Sequence, residues 1–140
     1  MLMHCAFCAA KGDLSRFGTM IYEDDHCAVA LHPDSSVAGH AMVVWKRHVE
    51  NVAGLEPQEL AHFARVHSET ERLLLRETGR ERAILLKLGI QVPHLHLHIY
   101  PVTAAATRAD VMAAIEATVR EERPEGFAER CRRSLTESLL

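Results

Sequence analysis

Three histidines at positions 94, 96 and 98 alternate with Leu95, Leu97 and Ile99 in the stretch Gln91 to Val102, Q-V-P-H-L-H-L-H-I-Y-P-V. A strict period of two predicts a half-buried strand with one apolar face and one face of imidazole. Imidazole is the side chain that changes charge near neutral pH, and it serves as acid, base or metal ligand. At about 3.3 Å per residue the rings leave a regular strand roughly 6.6 Å apart, which separates His94 from His98 by about 13 Å. One metal ion with bonds of about 2.0 Å cannot collect all three from such a strand. The rings must therefore divide the labour. A single histidine here would be the polar side of an amphipathic strand, but three in register between Pro93 and Tyr100 form a motif.

A second candidate lies near the N-terminus, where Cys5-Ala6-Phe7-Cys8 forms a C-x-x-C knuckle. It offers two thiolates to one ion, and two ligands do not close a tetrahedral site. The alternative is a pair of buried or redox-active thiols. Met1 to Ala10 has no basic start and does not have the form of a signal peptide. A cytoplasmic location is therefore expected, where thiols stay reduced and metal binding or redox work is favoured over a disulfide. Cys27 and Cys131 are expected to be inert buried thiols. His62 and His67, five apart, are poorly spaced to share a ligand on one helix face. Trp45 is expected in the core, and the Arg/Glu-rich segments 76–82 and 120–133 on a solvated surface.

The elements that must position these residues are legible in outline. Thr19 to Glu23 and His26 to Leu31 have the pattern of short strands joined at Asp24-Asp25. Pro33 to Gly39 has turn chemistry. His40 to Lys46 is a β-rich strand that delivers Arg47 and His48. Pro57 opens a helix whose apolar residues, Leu60, Phe63, Ala64, His67, Leu74 and Leu75, roughly follow one face until Gly79 stops it. Arg82 to Leu88 is a further strand, and Gly89 bends the chain before the histidine strand. Ala104 to Arg120 has helical spacing, and Phe127 to Leu140 forms a last helix expected on the outside or frayed.

The 140 residues suit one domain with a real core, residues 1–140, with a C-terminal helical extension after Val102. A net charge of −3 without basic runs argues against a nucleic-acid partner. No apolar run is long enough to span a bilayer, which argues against a membrane partner.

The pattern H-L-H-L-H-I-Y, together with G-H-A-M-V-V-W-K-R-H at Gly39 to His48, resembles the histidine-triad (HIT) family of nucleotide hydrolases and transferases. The V-P-H-L-H and W-K-x-H segments are most similar to bacterial zinc-containing members known as dinucleoside-polyphosphate hydrolases. The resemblance implies an α+β fold, a mostly antiparallel sheet with the long helix packed on it, and often a homodimer. It makes His96 the nucleophile that attacks phosphorus to give a nucleotidyl-histidine, which water then cleaves. His98 then bonds around the scissile phosphate and assists the leaving group, and His40 supports it. Main-chain N–H groups would hold the non-bridging oxygens. The resemblance also completes the knuckle: His48 and His94 join Cys5 and Cys8 around a structural zinc, which leaves His96 and His98 free.

The chain departs from the family at the substrate. Where members commonly hold the ribose diol with an aspartate, this chain has His32, with Asp34 two residues on. An amide is replaced by Ile84, and Gly-Gln by Gly89-Ile90, with Gln91 following. His32, Asp34 and Gln91 are the candidate substrate-binding residues, and weaker discrimination of the ribose is expected. Two other classes stand beside the enzyme. One is a zinc-stabilised nucleotide-binding or adaptor module with little turnover. The other, less favoured, is a catalytic metalloenzyme using the H-x-H pair as ligands, which would have to recruit its remaining ligands from the N-terminal half.

Overall fold

The computed structural model describes residues 5–33, 37–116 and 121–140. Asp34 and the end of the helix expected to reach Arg120 lie outside the described residues. Five strands, β1 (Thr19–Glu23), β2 (Cys27–Leu31), β3 (Ala41–Trp45), β4 (Arg82–Leu86) and β5 (His96–Val102), form one sheet in the order β1-β2-β3-β5-β4. Every neighbouring pair is antiparallel. Four helices accompany them among the described residues: α1 (Ala6–Ala10), α2 (Pro57–Thr78), α3 (Arg108–Ile115) and α4 (Phe127–Leu139).

The hairpin between β1 and β2 forms because Asp24 Oδ1 accepts the backbone N–H groups of His26 and Cys27, both at 2.7 Å. That arrangement starts β2 at Cys27, one residue later than expected. α2 begins with a reciprocal cap between Glu56 and Glu59, and Gly79 ends it in the left-handed conformation at φ 68° with its N–H on the Leu75 carbonyl. Its buried face is Phe63, Val66, Thr70, Leu73 and Leu74, turned from the expected one, so that Leu60 and Ala64 face solvent.

Antiparallel register puts directly opposed residues on one face. Val29, Leu31, Ala41, Val43, Trp45, Leu97 and Ile99 face α2 and α4, where they form the main core. Ala28, Ala30, Met42 and Val44 share the other face with His96 and His98, and the N-terminal segment packs there through Cys5, Phe7 and Leu14. β2 and β3 are buried along their whole length for this reason.

Three further element boundaries are corrected. β4 stops at Leu86 instead of Leu88, because the chain leaves the ladder toward Gly89, whose φ of 64° bends it. The histidine strand begins at His96 and leaves out His94, which was expected to share it, because the N–H of His94 turns back 2.8 Å to the Val92 carbonyl. The helix expected from Ala104 begins at Arg108, since Thr107 and Asp110 cap each other and fix its start.

The last helix is not peripheral. α4 buries Phe127, Cys131 and Leu135 in the main core, and Arg132 reaches back to the Met20 carbonyl of β1 at 2.9 Å. Phe127→Ala should destabilise the protein by about 3–5 kcal/mol, the range for a buried phenylalanine. Urea unfolding followed by circular dichroism measures this, and a loss under about 1 kcal/mol would fit a frayed helix instead.

Candidate active and metal site

The two edges of the histidine face carry two different clusters. At the first, α1 positions both cysteines, Cys5 at its N-cap and Cys8 within it. The loop after β3 supplies His48, and the turn before β5 supplies His94. Cys5 Sγ lies 3.3 Å from His94 Nδ1, Cys8 Sγ 3.2 Å from His48 Nδ1 and 3.5 Å from His94 Nδ1, and the two Nδ1 atoms are 3.2 Å apart. A tetrahedral site with metal–sulfur bonds of about 2.3 Å and metal–nitrogen bonds of about 2.0 Å has ligand–ligand edges of about 3.3–3.8 Å, close to this spacing.

The donor set fits a cation chemically as well. His94 Nε2 lies 2.5 Å from the Trp45 carbonyl, which accepts only from a protonated nitrogen, so Nδ1 presents its lone pair to the cluster. Burial, with the neighbouring Cys5, pushes the Cys8 thiol up to about 11, so Cys8 needs a cation beside it to persist as a thiolate. The four residues thus come together as expected and can hold one metal ion.

The second cluster is the triad itself. His96, 8% exposed, places Nδ1 2.6 Å from the His94 carbonyl; Nδ1–H donates, and Nε2 keeps its lone pair. Burial lowers the pKa of His96, which keeps the ring neutral and nucleophilic at pH 7. His40 Nε2 and His98 Nδ1 are 2.8 Å apart. With His40 donating, His98 keeps Nε2–H as a free donor toward a phosphate ester. Burial depresses both, His40 to about 2 and His98 to about 4, so both are neutral rings. Gly39, at φ 86°, sets His40 in place; a Cβ there would lie 3.0 Å from Thr78 Cγ2 and 3.1 Å from Pro101 Cγ.

A cavity of about 630 Å³ opens over these rings, and it is lined by His32, His40, Gln91, His96 and His98. His32 stacks on His40 with centroids 4.6 Å apart, and His40 stacks on Tyr100 at 4.0 Å. Ile84 turns to the apolar cluster around Val37, Tyr100 and Val102 rather than standing in for an amide. Phe7, Phe17, Arg16, Tyr100, Ala114 and Ile115 also line the cavity and were not foreseen. The C-x-x-C spacing holds a clue to Phe7, which sits between the cysteines. Nothing in the sequence pointed to Arg16, Ala114 or Ile115.

Other candidates behave as expected. Cys27 and Cys131 are fully buried in the core, and burial raises both thiols, Cys131 to about 12. Trp45 is core. His62 and His67 share no partner: His62 Nε2 is 2.7 Å from Asp24 Oδ2, and His67 pairs with Glu71. Asp24, Cys27 and His62 make a second group of potential ligands, but Asp24 is already bonded by Tyr22 and two backbone N–H groups.

An antiparallel five-stranded sheet that carries alternating histidines on β5, between β3 and the edge strand β4, beside a long helix, defines a histidine-triad fold. Residues 16–105 match the family model for the HIT domain, and the chain belongs to that family. It is 31% identical over 88 residues to the nitrilase and fragile histidine triad fusion protein NitFhit of Drosophila melanogaster, matching 59% of this chain but only 19% of that protein's length. An uncharacterised HIT-like protein of Methanocaldococcus jannaschii is 28% identical over 103 residues, covering 69% of this chain and 78% of its own. Among solved structures, a hypothetical histidine triad nucleotide-binding protein of Sulfolobus tokodaii superposes with a TM-score of 0.65 at 25% identity, covering 96% of this chain and 91% of that one. A Zn-bound histidine triad family protein of Mycobacterium smegmatis shares the fold with a TM-score of 0.67 at 21% identity, covering 98% and 96% of the two chains.

Two outcomes follow from the site. Elemental analysis should find one metal ion per chain, absent in Cys5→Ser, and protein without the metal should melt about 10 °C below protein with the metal present at a thousand times its Kd. Metal-free protein of unchanged stability would count against the cluster.

The second outcome concerns pH. An unfolded histidine titrates near 6.5, while buried His40 stays neutral down to about 2. Below pH 6.5 the unfolded chain therefore binds protons that the folded one does not, and stability falls as the pH falls. By pH 5 this ring alone should cost about 2 kcal/mol. Melting curves at pH 7 and pH 5 should show a smaller drop in His40→Gln than in wild type; an equal drop would place the acid sensitivity elsewhere.

Proposed function

We propose that the protein is a nucleotide hydrolase or transferase that cleaves at the α-phosphate of nucleoside 5′-phosphate derivatives, such as dinucleoside polyphosphates or nucleoside phosphoramidates. The observation that carries this is the 2.6 Å hydrogen bond from His96 Nδ1 to the His94 carbonyl, which fixes the ring as a neutral nucleophile at the floor of the cavity. His96 Nε2 forms a bond to phosphorus as the leaving group departs with its electron pair, and His98 Nε2–H delivers the proton the leaving group needs. Water then displaces His96, releasing the nucleoside monophosphate and restoring the His98 proton. Gln91 and His32, both at the cavity wall, contact the nucleotide. Asp34 is a further substrate contact proposed from the sequence alone.

Two cysteines and two imidazoles suit zinc above other common ions, and the family neighbour from Mycobacterium smegmatis is Zn-bound. With four protein ligands such an ion is structural: it ties α1 to the turn before β5 and has no open position for substrate. The proposed assembly is a homodimer through β4, the sheet edge, and the segment that follows it, where Leu85, Leu88 and Ile90 are exposed by 47%, 59% and 79%. The proposed location is the cytoplasm, and no helix among the described residues is long and apolar enough to cross a membrane.

His96→Ala should reduce turnover by more than about 10³-fold while nucleotide binding is retained, because phosphate contacts come from groups other than the nucleophile. Wild-type protein mixed with a radiolabelled substrate and quenched in base should carry an acid-labile label on His96. Near-normal rates in His96→Ala would remove it as nucleophile. Tight binding without turnover in the wild type would instead identify a nucleotide-binding module.

A further inference from the structure

On the other face of the sheet, away from the cavity, the β1–β2 hairpin and α2 bring together Asp24, Cys27 and His62, whose ligand atoms all lie within 4.8 Å of one another. The fold makes the meeting unavoidable. Asp24 and Cys27 flank the turn that Asp24 caps. His62 precedes Phe63, whose ring packs on Trp45, and Trp45 stands directly opposite Cys27 in the ladder.

Asp24 divides its two oxygens. Oδ1 accepts the N–H groups of His26 and Cys27 and builds the turn. Oδ2 accepts the Tyr22 hydroxyl and lies against His62 Nε2, both at 2.7 Å. An oxygen of a carboxylate offers two lone pairs, so Tyr22 occupies one and the His62 hydrogen the other. A divalent cation can take the place of that hydrogen while the turn and the Tyr22 bond stay intact.

Cys27 supplies the third donor. It is fully buried, and burial together with the Asp24 carboxylate pushes its thiol well above the ordinary range. A cation between sulfur and carboxylate turns that repulsion into a bridge. His62 and Asp24 keep 32% and 21% of their side chains exposed, so an ion enters past them to the sulfur. Trp45 adds an independent sign. Its ring lies 6.3 Å from that of His62 and 5.5 Å from that of His26, and its Nε1–H is buried without a hydrogen-bond partner among the described residues. Buried donors are normally paired, and water on the fourth position of an ion here is a partner of the right kind.

The donor set and its spread define the ion. One thiolate, one imidazole and one carboxylate suit zinc or cobalt(II) and not magnesium or calcium. A separation of up to 4.8 Å exceeds the roughly 3.3–3.8 Å edges of a closed tetrahedral site, so the ion must draw His62, the most exposed of the three, inward. Binding is therefore weaker than at the four-ligand cluster.

We propose that Asp24, Cys27 and His62 form a second metal site, which takes one exchangeable divalent cation of the zinc class and fastens α2 to the β1–β2 hairpin. On binding, the Cys27 S–H bond breaks and its proton goes to solvent as sulfur bonds the ion. Neutral His62 moves its proton to Nδ1 and gives the Nε2 lone pair to the ion, so one proton is released per ion.

Cobalt(II) is the probe, added to full-length protein freed of metal by chelation. Equilibrium dialysis should give two ions per chain, the second bound at least roughly tenfold more weakly. Thiolate-to-cobalt absorption should rise in both steps, the second by roughly half of the first, one thiolate against two. His62→Gln should lose the second step and keep the first, while His67→Gln, further along α2, should keep both. A second step unchanged in His62→Gln, or one without thiolate absorption, would overturn the proposal.

Cys5→Ser/Cys8→Ser separates the two sites. Cobalt should still produce thiolate absorption in this variant, and Cys27→Ala in the same background should abolish it; a folded double variant without such absorption would overturn the proposal. Zinc at a hundred times the second Kd should also raise the melting temperature of zinc-loaded wild type by about 7 °C and leave His62→Gln unchanged. An equal rise in both would assign the ion to other residues.

Discussion

The hydrogen bond between His94 Nε2–H and the Trp45 carbonyl is the contact on which the rest of the site depends. It fixes one ring in one tautomer, and the groups on either side are arranged around it. His94 Nδ1 is aimed at Cys5, Cys8 and His48, where four ligand atoms converge. The His94 carbonyl, held by the same local turn, accepts from His96 Nδ1–H and so exposes the nucleophilic nitrogen. Trp45 itself is packed under α2 against Phe63, so the acceptor cannot drift. The ring that faces the metal-ligand cluster is thereby coupled through its own carbonyl to the tautomer of His96.

The sheet has to serve two demands with one set of strands. One face buries a conventional apolar core under α2 and α4, and the stability that comes from it allows the other face to hold imidazoles out of water. Burial of neutral histidine is tolerable because each ring finds a partner: His94 on Trp45, His96 on His94, His40 on His98. The same burial keeps the rings unprotonated, which is the state that nucleophilic attack needs. Packing and reactivity are here one electrostatic effect.

The local order of the first cluster also bears on the second. Phe7 sits in α1 between the two cysteines and lies edge-on to both His94 and His96. An ion that fixes α1 therefore also fixes one wall of the cavity. The opposite wall comes from α3, on a separate segment with its own cap, so the two ends of the cavity rest on independent supports.

The sequence by itself determined the elements and the identity of the chemical groups. Period-two alternation and glycine or proline punctuation suffice to place strands and helix ends, because those signals are local. The triad, the knuckle and the loop glycine before His40 were legible for the same reason, together with the family resemblance they carry. Only tertiary structure decided how His94 leaves the strand. Alternation alone would put it in register about 13 Å from His98, and the turn at Val92 that breaks the register is a long-range packing outcome. The core role of α4 and the presence of Ala114 and Ile115 in the cavity were likewise invisible, because an apolar helical stripe does not say which surface it will cover. Burial, which silences the charge of His40 and His98, exists only once the sheet is assembled.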